Sequence, residues 1–279
     1  MALYLRLPAT AGFNIDNELI IINAFNANEP EQSLHGKDVN IIASGPSIQQ
    51  LPLAELLDTP TIFVNGSISL IGQHQFTDIA GYVISDARFI NHQPEILQQY
   101  YTGQPLYATL AVFEAMATTH PDIMQTYHHA MRVLYSGAMG SQVKQAIFAY
   151  LEKITQKMPL SYFINNPNFI IDSDHKAADI GVSLNITHGF VEAGTVAYVA
   201  AQLAFSRQAA SIHLYGIDLL NSKQPRFYEN KNNSAPSMLS KVMNERIIPS
   251  FNLLGRIYQS HGVPVVNHSP ISKTLFDTF

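Results

Sequence analysis

Short apolar runs, each closed by small or polar residues, recur along this chain and set the fold expected of it. Val39-Asn40-Ile41-Ile42-Ala43 is stopped by Gly45-Pro46, Thr61-Ile62-Phe63-Val64 by Asn65-Gly66-Ser67, and Gly81-Tyr82-Val83-Ile84 by Ser85-Asp86. Runs of this length with breakers behind them read as buried strands rather than helices. Between the first two, Ser47 stands as the cap of a helix through about Leu57, with Ile48, Leu51, Leu53, Leu56 and Leu57 apolar. A strand, a polar tip and a helical or turn segment, repeated, imply a parallel sheet with right-handed crossovers. Ligands of open α/β sheets sit beyond the carboxyl ends of the strands, so the three polar tips are expected to face one crevice.

The remaining pattern extends this plan. Residues 1–38, with Leu19 to Ile22 as a short strand, read as an N-terminal extension forming a hairpin or edge element, and 39–279 as one α/β nucleotide-binding domain. The stretch from about Pro94 to Met158 reads as mostly helical. Within it, Gln142 to Lys157 places Val143, Ile147, Tyr150, Leu151 and Ile154 on one face, and Tyr127 to Arg132 and Ser136 to Gly140 read as loops. A nearly all-apolar helix is expected from Glu192 to Arg207, then a strand Ser211 to Tyr215 ending at Gly216-Ile217-Asp218. Residues 221–237 read as a lid-like loop, and a helix from Met238 to Ser260 precedes a last strand, Val263 to Val266, with Asn267-His268-Ser269-Pro270 at its tip.

Composition narrows the function classes. At 47% hydrophobic and 13% charged residues the chain is globular, and its polar contacts fall to Asn, Gln, Ser, Thr and His. A net charge of −5 argues against a nucleic-acid partner, and the absence of cysteine excludes disulfides, thiolate catalysis and cysteine-ligated zinc. Met1 to Leu7 is too short for a secretory signal and no apolar run approaches the roughly 20 residues of a spanning helix, so a cytoplasmic protein is expected.

Candidate chemistry collects at the tips. In Ala43-Ser44-Gly45-Pro46-Ser47, glycine permits close backbone approach and a helix amino terminus would offer N–H groups to a phosphate; a plain strand-to-helix turn fits the same residues. The dinucleotide fingerprint G-x-G-x-x-G and the Walker pattern are absent. Asn65 and Asp86 could bind a nucleotide and act as general base, or could each begin a turn. The same holds for Gly216 with Asp218, and for Asn267 with His268 and Ser269. Among eleven histidines no metal-ligand spacing occurs. His188, ahead of the buried helix, is a candidate base or a surface histidine. Arg226 and Tyr228, in the cationic and aromatic segment Lys223 to Lys231, could contact a phosphate or belong to a solvated loop.

Asn40 to Ile48, Phe63 to Ser67 and Val83 to Asp86 resemble the first strands of bacterial lipooligosaccharide sialyltransferases, which open with a G-x-G-P-S-L turn and end their second strand in asparagine. Glu192 to Thr195 and Ser211 to Asp218 are similar to that family's T-S-G helix and its strand ending S-G-I-D. In length and order the chain also resembles the lipopolysaccharide inner-core Kdo transferases. The resemblance covers about Val39 to Asp218, with a weaker match at Val263 to Pro270. It implies a Rossmann-like, GT-A-like fold and a metal-independent glycosyltransferase using a CMP-activated acidic sugar of the sialic acid or Kdo type. Ser44, Gly45, Asn65 and Gly194 would line the nucleotide site. No cofactor beyond the donor is implied; the other partner is a glycan or lipid-linked acceptor, with peripheral attachment to the inner membrane and a homo-oligomer both left open. The sequence departs from the sialyltransferases at Ser44, where they carry asparagine, and at Glu192-Ala193-Gly194; it has no histidine near Pro236 to Val242, where they carry the catalytic one. The base is then expected from His188 or Asp86. Two other readings fit the same residues: a non-catalytic nucleotide-binding protein of this fold, and an ATP-dependent pterin pyrophosphokinase-like enzyme.

Overall fold

The computed structural model describes residues 6–137, 160–174, 179–220, 225–229 and 242–276. Nine strands form one sheet: β1 (Thr10–Ile15), β2 (Glu18–Ala24), β3 (Asp38–Ile42), β4 (Thr61–Val64), β5 (Ile79–Ile84), β6 (Leu106–Thr109), β7 (Met131–Leu134), β10 (Ser211–Tyr215) and β11 (Val265–Asn267). Their order is β1-β2-β7-β6-β5-β4-β3-β10-β11, with only the edge pair β1–β2 antiparallel. That pair is a hairpin whose two turn residues, Asp16 and Asn17, both have positive φ, the conformation a tight two-residue hairpin requires. A separate antiparallel pair, β8 (Phe169–Asp172) and β9 (Ile180–Ser183), lies outside the main sheet.

The apolar runs are continuous because both sheet faces are covered. Val39 and Ile41, Ile62 and Val64, and Ile212 and Leu214 point to one core, with α5 (Val196–Ser206) and α6 (Ile248–Ser260). Ile42, Phe63, Tyr82, Ile84 and Tyr215 alternate to the other, with α1 (Ala87–His92), α2 (Pro94–Tyr100), α3 (Leu110–Thr119) and α4 (Pro121–Tyr127). As its all-apolar sequence implies, α5 is enclosed between the sheet and α6; Phe205 stacks on Tyr258 at 3.8 Å and Tyr198 meets Phe251 edge-on.

Several elements differ from the sequence reading. Leu106 to Thr109 and Met131 to Leu134 are strands, not helix and loop; the first runs straight into a helix at Leu110 with no breaker between, and Arg132 interrupts the apolar run of the second. No helix runs from Ser47 to Leu57. Two 3₁₀ turns, Pro46–Gln50 and Leu53–Glu55, replace it because Pro52 cannot continue a helical ladder; the cap position is Gly45, not Ser47. The last strand begins at Val265, two residues late, and α5 begins at Val196. The expected helix Gln142 to Lys157, most of the expected lid 221–237 and residues 238–241 of the expected last helix lie outside the described residues.

One buried amide joins α5 to the segment around β9. The Gln202 carbonyl accepts from the N–H groups of Ser183 and Val191, each at 3.0 Å, and its amide donates to Val191 O at 2.8 Å and Tyr198 O at 3.1 Å. Gln202→Leu fits the space but leaves backbone groups of Ser183 and Val191 without partners, each costing about 1–3 kcal/mol. We expect it to destabilise the protein by at least about 2 kcal/mol in urea denaturation; a loss below about 0.5 kcal/mol would mean these groups find other partners.

Candidate functional site

The order of the strands locates the crevice. From β3 the chain runs outward through β4, β5, β6 and β7, then returns to place β10 and β11 on the other side of β3. The reversal falls between β3 and β10, and such a switch point parts the loops leaving the carboxyl ends on its two sides. Ser44, Gly45, Pro46 and Ser47 leave β3 there, Gly216 and Asp218 leave β10, Asn65, Gly66 and Ser67 leave β4, and Asn267 and Ser269 leave β11.

Hydrogen bonds lock these tips together. The N–H of Gly45 donates to Gly216 O at 2.9 Å, and the Asp218 carboxylate accepts from both the N–H (2.6 Å) and the hydroxyl (2.7 Å) of buried Ser47. A Cβ on Gly45 would lie 2.4 Å from that carboxylate, so only glycine fits. Gly216, at φ +70, turns the chain so that Asp218 can reach across. On the β4 side, the Ser67 hydroxyl donates to Ile42 O at 2.6 Å, and Ser44 donates to Val64 O at 3.4 Å. On the β11 side, Ser269 accepts from Ile217 N–H at 2.7 Å, and Asn267 Oδ1 accepts from Ser269 N–H.

Residues 225–229 pack onto this cluster. Phe227 N–H donates to Ser44 O at 3.3 Å, and the Tyr228 ring lies so close to Gly66 that a Cβ there would be 2.1 Å from it. The Tyr228 hydroxyl interacts with Ser44 and Arg226, and burial above all pushes its pKa up to about 12, keeping it a neutral donor. Arg226 pairs with Glu229. Beneath Tyr228, burial first and Tyr228 itself second push the Tyr82 phenol well up; the hydroxyls of Tyr82 and Tyr101 are buried without a partner. Two amide atoms at the strand tips are likewise buried and unpartnered, Asn65 Oδ1 and Asn267 Nδ2. Asn65 has φ +51, a left-handed conformation that asparagine tolerates better than most residues.

Not every sequence candidate joins the cluster, and some join it in another role. The N–H groups expected to meet a phosphate at Gly45 and Ser47 already donate to Gly216 and Asp218, so the first turn is no open anion cradle. Asp86 caps α1 through Arg88 N–H and pairs with the Arg88 guanidinium. Burial raises its pKa, but the bonds and charge of Arg88 outweigh this and hold it below its ordinary value. His188 ends an exposed 3₁₀ turn next to Gly189 and Phe190, and Phe190 bridges Ser136 just past β7. Four strand spacings, roughly 19 Å, separate β7 from β3, so His188 is not at the tips of β3 and β10. Gly194, at φ +85, has Val242 and Ile247 as its neighbours rather than the β3 turn. Of the lid-like segment, Arg226 and Tyr228 are described, while Lys223 and Lys231 lie outside the described residues. A cavity of about 390 Å³ near Asn185, Phe205, Gln208 and His261 sits at the carboxyl end of α5, the opposite edge of the sheet. Among the described residues no group of three or more acidic, histidine or cysteine side chains could hold a metal ion, and no helix is long and apolar enough to cross a membrane.

An open α/β sheet with a polar cluster at its switch point is the architecture in which small ligands bind at the strand ends. The profile of the family described as 3-deoxy-D-manno-octulosonic acid transferase WaaZ matches residues 27–269, and the chain belongs to that family, a glycosyltransferase family of lipopolysaccharide biosynthesis. It is 26% identical over 219 residues to the "Probable 3-deoxy-manno-octulosonic acid transferase" of Escherichia coli (strain K12), covering 78% of this chain and 73% of that protein. The protein of the same name from Salmonella typhimurium (strain LT2) is also 26% identical over 219 residues, with 78% and 77% covered.

The Asp218 bridge gives this site its testable feature. Asp218→Ala removes two hydrogen bonds to a charged group and leaves Ser47 N–H buried and unpaired; charge-assisted bonds contribute about 1.5–3 kcal/mol each. We expect a loss of at least about 2 kcal/mol in stability together with weakened ligand binding. Unchanged stability would show that the β3 and β10 tips hold together without it.

Proposed function

We propose that this chain transfers a 3-deoxy-D-manno-octulosonic acid residue from its CMP-activated form to the core of lipopolysaccharide, with the nucleotide seated at the tips of β3, β4 and β10. Family membership supplies the sugar class. The single observation that carries the nucleotide assignment is Asn65, a strand-tip amide whose carbonyl oxygen is buried without a donor. A buried acceptor left unmatched costs about 1–3 kcal/mol, and the exocyclic amino group of cytosine is a donor of the kind that would satisfy it. A uracil carbonyl in the same place would face it acceptor to acceptor.

The chemistry asks for little beyond positioning. The anomeric carbon loses its bond to the CMP phosphate oxygen, which leaves with the electron pair, as an acceptor hydroxyl bonds to that carbon and gives up its proton. Tyr228, held neutral, is a hydroxyl donor that suits the leaving phosphate, and the Arg226 guanidinium carries N–H groups in addition to the one on Glu229. The transfer is metal-independent on this reading, and the lipid-linked acceptor brings the protein to the inner membrane surface as a peripheral partner.

Asn65→Gly tests the assignment, because glycine accepts the left-handed backbone while removing the amide. CMP affinity should fall about 2- to 12-fold, matching loss of a hydrogen bond of about 0.5–1.5 kcal/mol, with an unchanged melting temperature in the absence of ligand. On the wild-type protein CMP should raise the melting temperature more than UMP, AMP or NAD at equal concentration. Stabilisation by ATP or NAD and none by millimolar CMP would overturn the reading. EDTA should leave transfer intact; its loss with recovery on adding Mn²⁺ or Mg²⁺ would remove the metal-independent part.

A further inference from the structure

The reaction proposed above needs a base; His188 lies toward β7, four strands from β3, and the Asp86 carboxylate is taken up by Arg88. A different histidine lies at the strand tips. His268 follows β11, and its N–H donates to Leu214 O, which sets it beside Tyr215 at the carboxyl end of β10. It stacks on the Tyr215 ring at 4.6 Å with the planes 9° apart. β11 lies two strand spacings, about 10 Å, from β3, so His268 lines the β10–β11 side of the strand tips, the side left to the acceptor when the nucleotide sits over β3 and β4.

The hydrogen bonds behind His268 fix which of its nitrogens carries a proton. Asp38 opens β3, and its carboxylate, which can only accept, takes the hydroxyl proton of Ser211. The Ser211 oxygen must then accept from His213 Nε2, 2.9 Å away, so the proton of a neutral His213 ring sits on Nε2. Its Nδ1 is therefore a bare acceptor, and the contact of 2.9 Å to His268 Nε2 is a bond donated by His268. A neutral His268 is left with an unprotonated Nδ1. Burial lowers the pKa of both rings, and for His268 the neighbouring His213 and Lys273 lower it further, so both are neutral near pH 7. Asp38 opposes the shift at His213. Glu55 is the charged group facing Tyr215, on which His268 rests.

We propose that His268 is the general base of the transfer, taking the acceptor hydroxyl proton on Nδ1, and that Asp38, Ser211 and His213 are positioning residues that keep that nitrogen unprotonated. The step balances: the hydroxyl oxygen bonds to the anomeric carbon, its proton passes to Nδ1, and CMP departs with the electron pair. This assignment rests on the transferase reading, and its test separates the two.

Long-range proton–nitrogen NMR of the wild-type protein should show His268 and His213 as Nε2–H tautomers near pH 7. His268 in the Nδ1–H form would overturn the proposal without any assay. For catalysis, His268→Gln is compared with wild type using CMP-activated 3-deoxy-D-manno-octulosonic acid and a lipopolysaccharide core acceptor. Transfer should fall about 100-fold or more, with CMP affinity unchanged within threefold and the low-pH limb of the wild-type rate profile gone. Ser211→Ala should lower the rate less, and shift that limb, again without changing CMP affinity. A loss of less than tenfold in His268→Gln, or an unaltered pH profile, overturns the role of His268 while leaving the transferase reading in place. Failure of the wild-type protein to bind CMP overturns that reading instead, with the tautomers still decided by NMR.

Discussion

Asp218 is the constraint from which the geometry of the strand tips follows. Its carboxylate binds the backbone and the side chain of Ser47, a residue 171 positions away in sequence, at the place where the order of the sheet reverses. The bridge demands glycine at position 45, because any side chain would occupy the carboxylate's place, and a left-handed glycine at 216, because the chain must turn sharply to bring Asp218 across. Ser269 and Ser272 hold the next two N–H groups, of Ile217 and Leu219, so the whole turn after β10 is held by side chains from neighbouring loops. The two halves of the sheet thus meet in a rigid seam rather than an open slot.

That seam decides where a negatively charged ligand can go. Glycine-rich turns elsewhere leave N–H groups free for a phosphate, whereas here a carboxylate already sits on Ser47 N–H, and a second anion at the same point would be repelled. On the β4 side of the seam, Asn65 keeps a buried, unpaired oxygen and Tyr228 covers Gly66. Ser44 faces both sides of this division. Its hydroxyl bonds β4 at Val64 O, and its carbonyl accepts from Phe227, so a ligand displacing residues 225–229 would be felt at the β3 tip at once.

Much of this was legible in the sequence, for physical reasons that also explain what was not. Strands β3, β4, β5 and β10 stood out because burial on both faces makes them continuous apolar runs ended by small residues, and the glycines and amides at their tips follow from the same architecture. Strands β6 and β7 did not: β6 runs straight into a helix at Leu110 with no breaker between, and Arg132 interrupts the apolar run of β7. Pro52 carried the signal that the segment after Ser47 would not be helical, but the apolar residues around it mimic a helical face. Ser47 and Asp218 were both picked out as tip residues; that they bind each other rather than a ligand is a long-range fact no local pattern contains. His268 was also picked out as a tip residue, but its partnership with His213 was hidden for the same reason, since it depends on the parallel register of β10 with β11.

The low charge of the chain acquires a meaning once the tips are described. Among the described residues near the strand tips, several ionised groups are met by one another, by backbone or by a hydroxyl: Asp218 with Ser47, Arg226 with Glu229, Asp86 with Arg88, Asp38 with Ser211. Among the described tip residues the other polar groups are mostly neutral: an amide, hydroxyls, phenols whose pKa burial raises and half-exposed imidazoles whose pKa burial lowers. On the proposed function, such groups would select an acidic donor by the match of donors to acceptors, each unmatched buried group carrying its desolvation cost. A donor that is itself acidic and already carries a good leaving group has little need of a strong positive field. A fixed set of neutral partners also avoids the large affinity for any polyanion that a cluster of cations would bring.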